Sequence, residues 1–206
     1  MDSTDAADLI AEIHEERAEH AADDTFRNRA ALLIAVMAAV LAIGGLGGGN
    51  ATDDMVGNNI HASDTWSFYQ AKNVRQTMYR IAVEDLEAER ALTTDPARLS
   101  GIDARIKKYR DTIARYDSEP DAKDPTKGEG KKELSARAEG YEAAFETASE
   151  QDNNFDYAEV ALQLALVLGS VAILALNRWV LALSAGLGLL GTLLTLNGFL
   201  LLVPLG

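Results

Sequence analysis

Apolar residues gather in three runs, 30–49, 157–176 and 180–203, and thin into spaced stripes elsewhere. Each run reaches the roughly 20 residues that a helix needs to cross a bilayer core. Asn177-Arg178-Trp179 separates the second run from the third, which predicts a tight helical hairpin. Between the first and second runs, apolar residues recur at alternating steps of three and four, so each set lies on one helix face. The first stripe is Ala71, Val74, Met78, Ile81, Asp85, Ala88 and Leu92. The second is Ile102, Ile106, Tyr109, Ile113 and Tyr116, and the third is Leu134, Ala138, Tyr141, Phe145, Ala148, Asp152 and Phe155. Stripes this narrow suit a coiled-coil seam better than a broad globular core. The pattern therefore predicts an all-α membrane protein. It has three transmembrane helices, with a helical coiled-coil insert between the first and second.

The boundaries follow from punctuation. Residues 1–27 read as an acidic amphipathic leader helix with Leu9, Ile10 and Ile13 on its apolar face. Residues 28–49 form the first transmembrane helix. Its exit carries Gly44, Gly45, Gly47, Gly48 and Gly49, and glycine loosens a helix, so a break or kink is expected there. The insert is 50–155, with helices at about 63–93, 97–117 and 131–155. Thr94-Asp95-Pro96 ends the first of these, because proline disfavours helical geometry at the residue before it. Pro120, Pro125, Gly128 and Gly130 mark 118–130 as a flexible linker. Nothing from Lys131 to Leu176 stops a helix, so the third insert helix is expected to run unbroken into the second span. Residues 156–206 then form the transmembrane hairpin, with arms at 157–176 and 180–203. If the second insert helix returns along the first while the third starts far out, the linker must climb roughly 30 Å.

Charge adds orientation. The net charge of −13 divides into −7 over residues 1–27 and −6 over 50–155, and the four remaining charges cancel. Such acidic surfaces repel phosphate backbones, which argues against a nucleic-acid partner. The absence of cysteine excludes disulfides, thiol catalysis and thiolate metal sites. The long acidic leader lacks the short basic start of a secretory signal, so the first run is expected to be a retained span. Basic residues near span ends mark the cytoplasmic side, and here they are Arg27, Arg29 and Arg178. The opposite flanks hold Asp53, Asp54, Asp64, Asp152, Asp156 and Glu159. This distribution predicts a multi-pass protein with a cytoplasmic N-terminus and an insert outside the cytoplasm. Trp179 is read as an interface anchor.

Candidate chemistry is sparse. Gly186-x-Gly188-x-x-Gly191 matches a dinucleotide fingerprint as a string, but it lies inside a lipid-length run with no strand before it. Packing is the better reading. Ser184, Gly188, Thr192 and Thr195 share a face of the third span, and Ala31, Ala35, Ala38, Ala42, Gly45 and Gly49 repeat at helical spacing along the first. Both are small-residue seams of the kind that lets helices approach closely. Glu159, Gln163 and Ser170 form a polar stripe on the second span. It is read either as an ion path or, preferably, as hydrogen bonds to neighbouring helices. Gly128-Glu129-Gly130-Lys131 lacks the upstream glycine and the Ser/Thr of a phosphate loop. Glu12, Glu16 and His20 share a helix face, and a solvated stripe is preferred there to a metal site. No nucleophile–base pair, metal cluster or cofactor motif stands out, so neither an enzyme nor a cofactor is expected.

Downstream of the first span stands Ser63-Asp64-Thr65-Trp66-Ser67-Phe68-Tyr69-Gln70-Ala71-Lys72. With the acidic leader, the Asn28-Arg29 pair before the first span, the helical insert and the two closing spans, it resembles the bacterial membrane family called domain of unknown function 4337. The resemblance covers nearly the whole chain. It implies a bacterial origin, hence the inner membrane with the insert periplasmic or extracellular, and it supplies no catalytic residue. Read physically, Ser63 is a candidate helix N-cap. Trp66, Tyr69 and Gln70 then occupy the first turns after it, as aromatic anchors or a partner-binding surface. The expected function is a non-enzymatic scaffold or interaction protein. Lipid surrounds it, the small-residue faces self-associate, and a further unidentified protein partner is allowed. The alternative is an oligomeric channel or transporter lined by the second span.

Overall fold

The computed structural model describes residues 3–124 and 127–204, with side chains from His14 onward except at 15 and 19. The leader's apolar face and Glu12 therefore lie outside the described residues. Four helices follow in order: α1 (Ser3–Leu92), α2 (Pro96–Asp117), α3 (Lys131–Ala175) and α4 (Arg178–Leu200). No strand occurs among the described residues. Three of the helices are long and apolar enough to cross a membrane. The chain divides into two units, residues 1–53 with 148–206 and residues 54–147. Both α1 and α3 contribute to each unit.

In the first unit the helices meet through small residues. α4 turns Ser184, Gly188, Gly191, Thr195 and Gly198 inward, at alternating steps of four and three. α3 buries Phe155, Ala158, Leu162, Ala165 and Ala172, and α1 buries Ala30, Met37 and Ala51. Met37, Leu162 and Ala165 form the apolar centre. The large aliphatic side chains point away: Leu32 is 67% exposed, Leu46 70% and Leu174 85%.

The expected break at the glycine string does not occur, because α1 runs through it. A Cβ at Gly47 would meet the rings of Phe155 at 2.6 Å and Phe199 at 2.8 Å, and one at Gly48 would meet Phe155 at 3.2 Å. Here glycine's helix cost of about 1 kcal/mol is offset by the ring packing that only a bare backbone admits. Ser63 is likewise not an N-cap, since it lies within α1.

The hairpin turn is built from capping bonds. The Asn177 N–H donates to the Ala172 carbonyl at 3.2 Å, and Leu176 adopts φ 49°, as in a Schellman-type helix end. Asn177 Oδ1 then accepts from the Trp179 and Val180 N–H groups and starts α4.

In the second unit α1 and α2 form an antiparallel pair. Asp95 caps α2 through the Ala97 N–H, with Pro96 in its first turn. Val83, Leu86, Ile102 and Ile106 form the core, flanked by Tyr109 and Ile113. Arg90–Asp103, Arg98–Glu89 and Arg110–Glu87 ion pairs border it. The second and third stripes thus face inward. The first stripe does not: Val74 is 54% exposed, Met78 63% and Ile81 53%. The buried face of α1 instead carries Thr65, Lys72, Gln76, Val83 and Leu86. The linker also departs from expectation. Lys131, at the start of α3, reaches Asn73 at 3.1 Å and Asp117 at 3.5 Å. α3 therefore starts where α2 ends, and no climb is required.

Candidate functional site

A polar constellation lies in the second unit, around the block at 63–72. Lys72 is 5% exposed. Its ammonium donates to the Glu129 carbonyl and stands 3.6 Å from the carboxylates of Glu119 and Glu129. The rings of Phe68 and Tyr116 lie 5.1 and 5.5 Å from it, close enough for cation–π attraction. One turn on, the fully buried Gln76 donates to the Ile113 carbonyl at 2.9 Å, and its Oε1 has no partner among the described residues. The two ends of the linker are pinned together. The Glu129 N–H bonds to the Glu119 carbonyl at 3.0 Å, and a Cβ at Gly130 would strike the Ser118 backbone at 2.5 Å.

Electrostatics follow the geometry. A hydrogen bond from Gln76 holds Asp117 below the usual carboxylate range, helped by Lys131 and Arg80. Burial pushes Glu133 up, but hydrogen bonds from the Ser118 hydroxyl and the Glu119 N–H outweigh it, so its pKa is also lowered.

The other members of the block divide. Trp66 Nε1 donates to Glu142 at 2.7 Å, and Tyr69 packs edge-on against Trp66, 5.5 Å between centroids. Ser63 and Gln70 are exposed. Sequence reasoning missed Lys72 and Gln76. The available signal was the run 72, 76, 79, 83, 86, a heptad stripe disguised by its polar members.

The first unit separates two kinds of small residue. Ser184 is buried and donates to the Ala165 carbonyl at 2.7 Å. A Cβ at Gly191 would meet Leu162 at 2.6 Å and the Ala158 carbonyl oxygen at 3.1 Å. Gly188 is buried against Met37 and Thr192 is half-buried. By contrast Ala31, Ala35, Ala38, Ala42, Gly45 and Gly49 are all exposed, and a Cβ at Gly45 or Gly49 would meet nothing within 4 Å. Among the described residues, no helix covers that seam. The polar stripe of α3 also faces outward. Gln163 bonds to Glu159 at 2.7 Å and Ser170 to the Leu166 carbonyl at 2.9 Å, both within α3 rather than to neighbouring helices.

The family model described as Domain of unknown function (DUF4337) matches residues 26–201. The chain belongs to this family. No curated protein and no solved structure matches it. The DUF4337 match takes in α1 from residue 26, all of α2, α3 and α4, and the Lys72 constellation, and leaves out residues 1–25 of the acidic leader.

Within this DUF4337 chain, Arg29 of α1 and Arg178 of α4 line one groove of about 500 Å³ with Ala22, Thr25, Phe26 and Leu181. Arg27 does not line it. Trp179 is 85% exposed beside them. Among the described residues, no group of three His, Asp or Glu side chains is placed to hold a metal ion.

Proposed function

We propose that this DUF4337 chain is a non-enzymatic, multi-pass scaffold of a bacterial inner membrane, self-associating through the uncovered face of α1. Arg27, Arg29 and Arg178 mark its cytoplasmic side, and residues 50–155 form a coiled-coil-like insert on the periplasmic or extracellular side. Large aliphatics outside and small residues inside suit a lipid solvent, in which helices associate by close packing rather than by hydrophobic burial. The observation that carries the self-association is the division of the glycine string. Gly47 and Gly48 are enclosed by rings of this chain, while Gly45 and Gly49 open onto space beside four exposed alanines. The homo-oligomer uses that second set. Ser63 and Gln70 remain exposed for a protein partner.

Chemical crosslinking in native membranes tests the reading. Wild-type protein yields discrete oligomers, and Gly45→Leu with Gly49→Leu reduces them to monomer without unfolding. A strictly monomeric wild type would overturn it. The second reading, an oligomeric channel or transporter lined by α3, is favoured by the outward-facing Glu159, Gln163 and Ser170. It requires that Glu159→Gln change flux in proteoliposomes, and a leak near zero for both proteins ends it.

A further inference from the structure

Arg29 and Arg178 stand 149 positions apart in sequence, yet they line the same groove between α1 and α4. Among the described residues neither guanidinium has a carboxylate partner, although acids outnumber bases 32 to 19 in the chain. Among the described residues no carboxylate lines the groove. Thr25 does not supply a donor, because its hydroxyl proton goes to the Ala21 carbonyl at 2.8 Å. Phe26 and Leu181 make an apolar wall. Arg178 stands in the first turn of α4, the end at which a cation gains nothing from the helix dipole. Among the described residues, therefore, no intrachain contact accounts for two like charges lining one groove. A general preference for bases at one membrane face does not account for it either. Arg27 serves that preference equally and lies outside the groove.

We infer that this groove binds the phosphate of an anionic phospholipid. Two guanidinium forks match phosphate oxygens in geometry as well as charge. The apolar wall suits the first carbons of the acyl chains, and basic pockets between membrane helices recognise anionic headgroups. Each arginine is a donor to the phosphodiester, and no bond is made or broken. The inference rests on the proposed membrane placement but not on self-association.

The full-length protein is reconstituted with mixed phosphatidylcholine and phosphatidylglycerol, re-extracted in mild detergent, and its retained lipid weighed by native mass spectrometry. Phosphatidylglycerol is expected to be enriched over the bulk mixture. Enrichment falls about tenfold in Arg29→Gln or Arg178→Gln, as loss of a charge-assisted hydrogen bond implies, and is unchanged in Arg27→Gln. Arg29→Lys with Arg178→Lys preserves charge but not the fork and gives an intermediate value, a readout that survives if the glutamine variants misfold. Equal retention of both lipids by wild type overturns the inference, as does full retention by the glutamine variants. Displacement of the lipid by millimolar inorganic phosphate reassigns the groove to free phosphate and overturns the lipid assignment. Carbonate extraction separates the two levels. Release of the chain from membranes removes the placement itself, whereas a membrane-integral chain with no lipid preference removes only this inference.

Discussion

The two units invert each other's use of side-chain size. Residues 54–147 put Val83, Leu86, Ile102 and Ile106 inside and ring them with ion pairs. Residues 1–53 with 148–206 put Ala165, Gly188 and Gly191 inside, with Leu32, Leu46 and Leu174 outside. Aliphatic burial stabilises a helix pair only where the alternative is water. Where the surroundings are themselves apolar, contact distance decides, and glycine, alanine and serine allow the shortest. The same residue type thus carries opposite weight in the two units: enlarging a glycine breaks one, and shrinking an isoleucine breaks the other.

The sharpest test of that contrast is Gly191→Leu. Its new side chain must displace both Leu162 and the Ala158 carbonyl, so a loss of about 3 kcal/mol is expected. It should be visible as a collapse of the unfolding midpoint in detergent. Gly186→Leu, where a Cβ meets nothing within 4 Å, should leave that midpoint in place. Next in size, Ile106→Ala empties part of the core of the other unit and should cost about 2–4 kcal/mol. Hydrogen exchange should localise the loosening to α2 and the part of α1 facing it.

The smallest effect is acid sensitivity. Glu133 and Asp117 have lowered folded pKa values, so their contribution is fully present above the ordinary carboxylate range of about 4. It disappears as pH falls through the folded values. Acid should therefore loosen the junction of α2 and α3, read as exchange of the Glu119 and Glu129 amides. Glu133→Gln should flatten that dependence, while the glycine-packed unit changes little.

Much of this arrangement was legible in the sequence, and the exceptions share a cause. The Asp95-Pro96 start of α2, the uninterrupted α3 and the Asn177 turn follow from local rules that tertiary contacts did not need to overrule. The glycine string misled because glycine's helix cost is local while its compensation, the rings of Phe155 and Phe199, comes from 100 or more positions away. The buried face of α1 misled because apolarity was used to find it, and its centre is Lys72 and Gln76. A more apolar stripe through Val74, Met78 and Ile81 was available and stays exposed. That Arg29 and Arg178 lie at one end of the spans was legible from the basic flanks, but their lining of one groove was not, since no periodicity links two helices so distant in the chain.

Two asparagines on α3 and α4 carry a last consequence. Asn154 is fully buried and accepts from Asn197 at 2.6 Å, while Asn197 also grips both the N–H and the carbonyl of Val203. With Asn177 sealing the other end of the hairpin, its two arms are latched top and bottom by amides. Sliding one arm past the other by a single turn would strand these groups where few substitutes exist. The hairpin therefore behaves mechanically as one bar, and any motion of α4 must carry α3 with it.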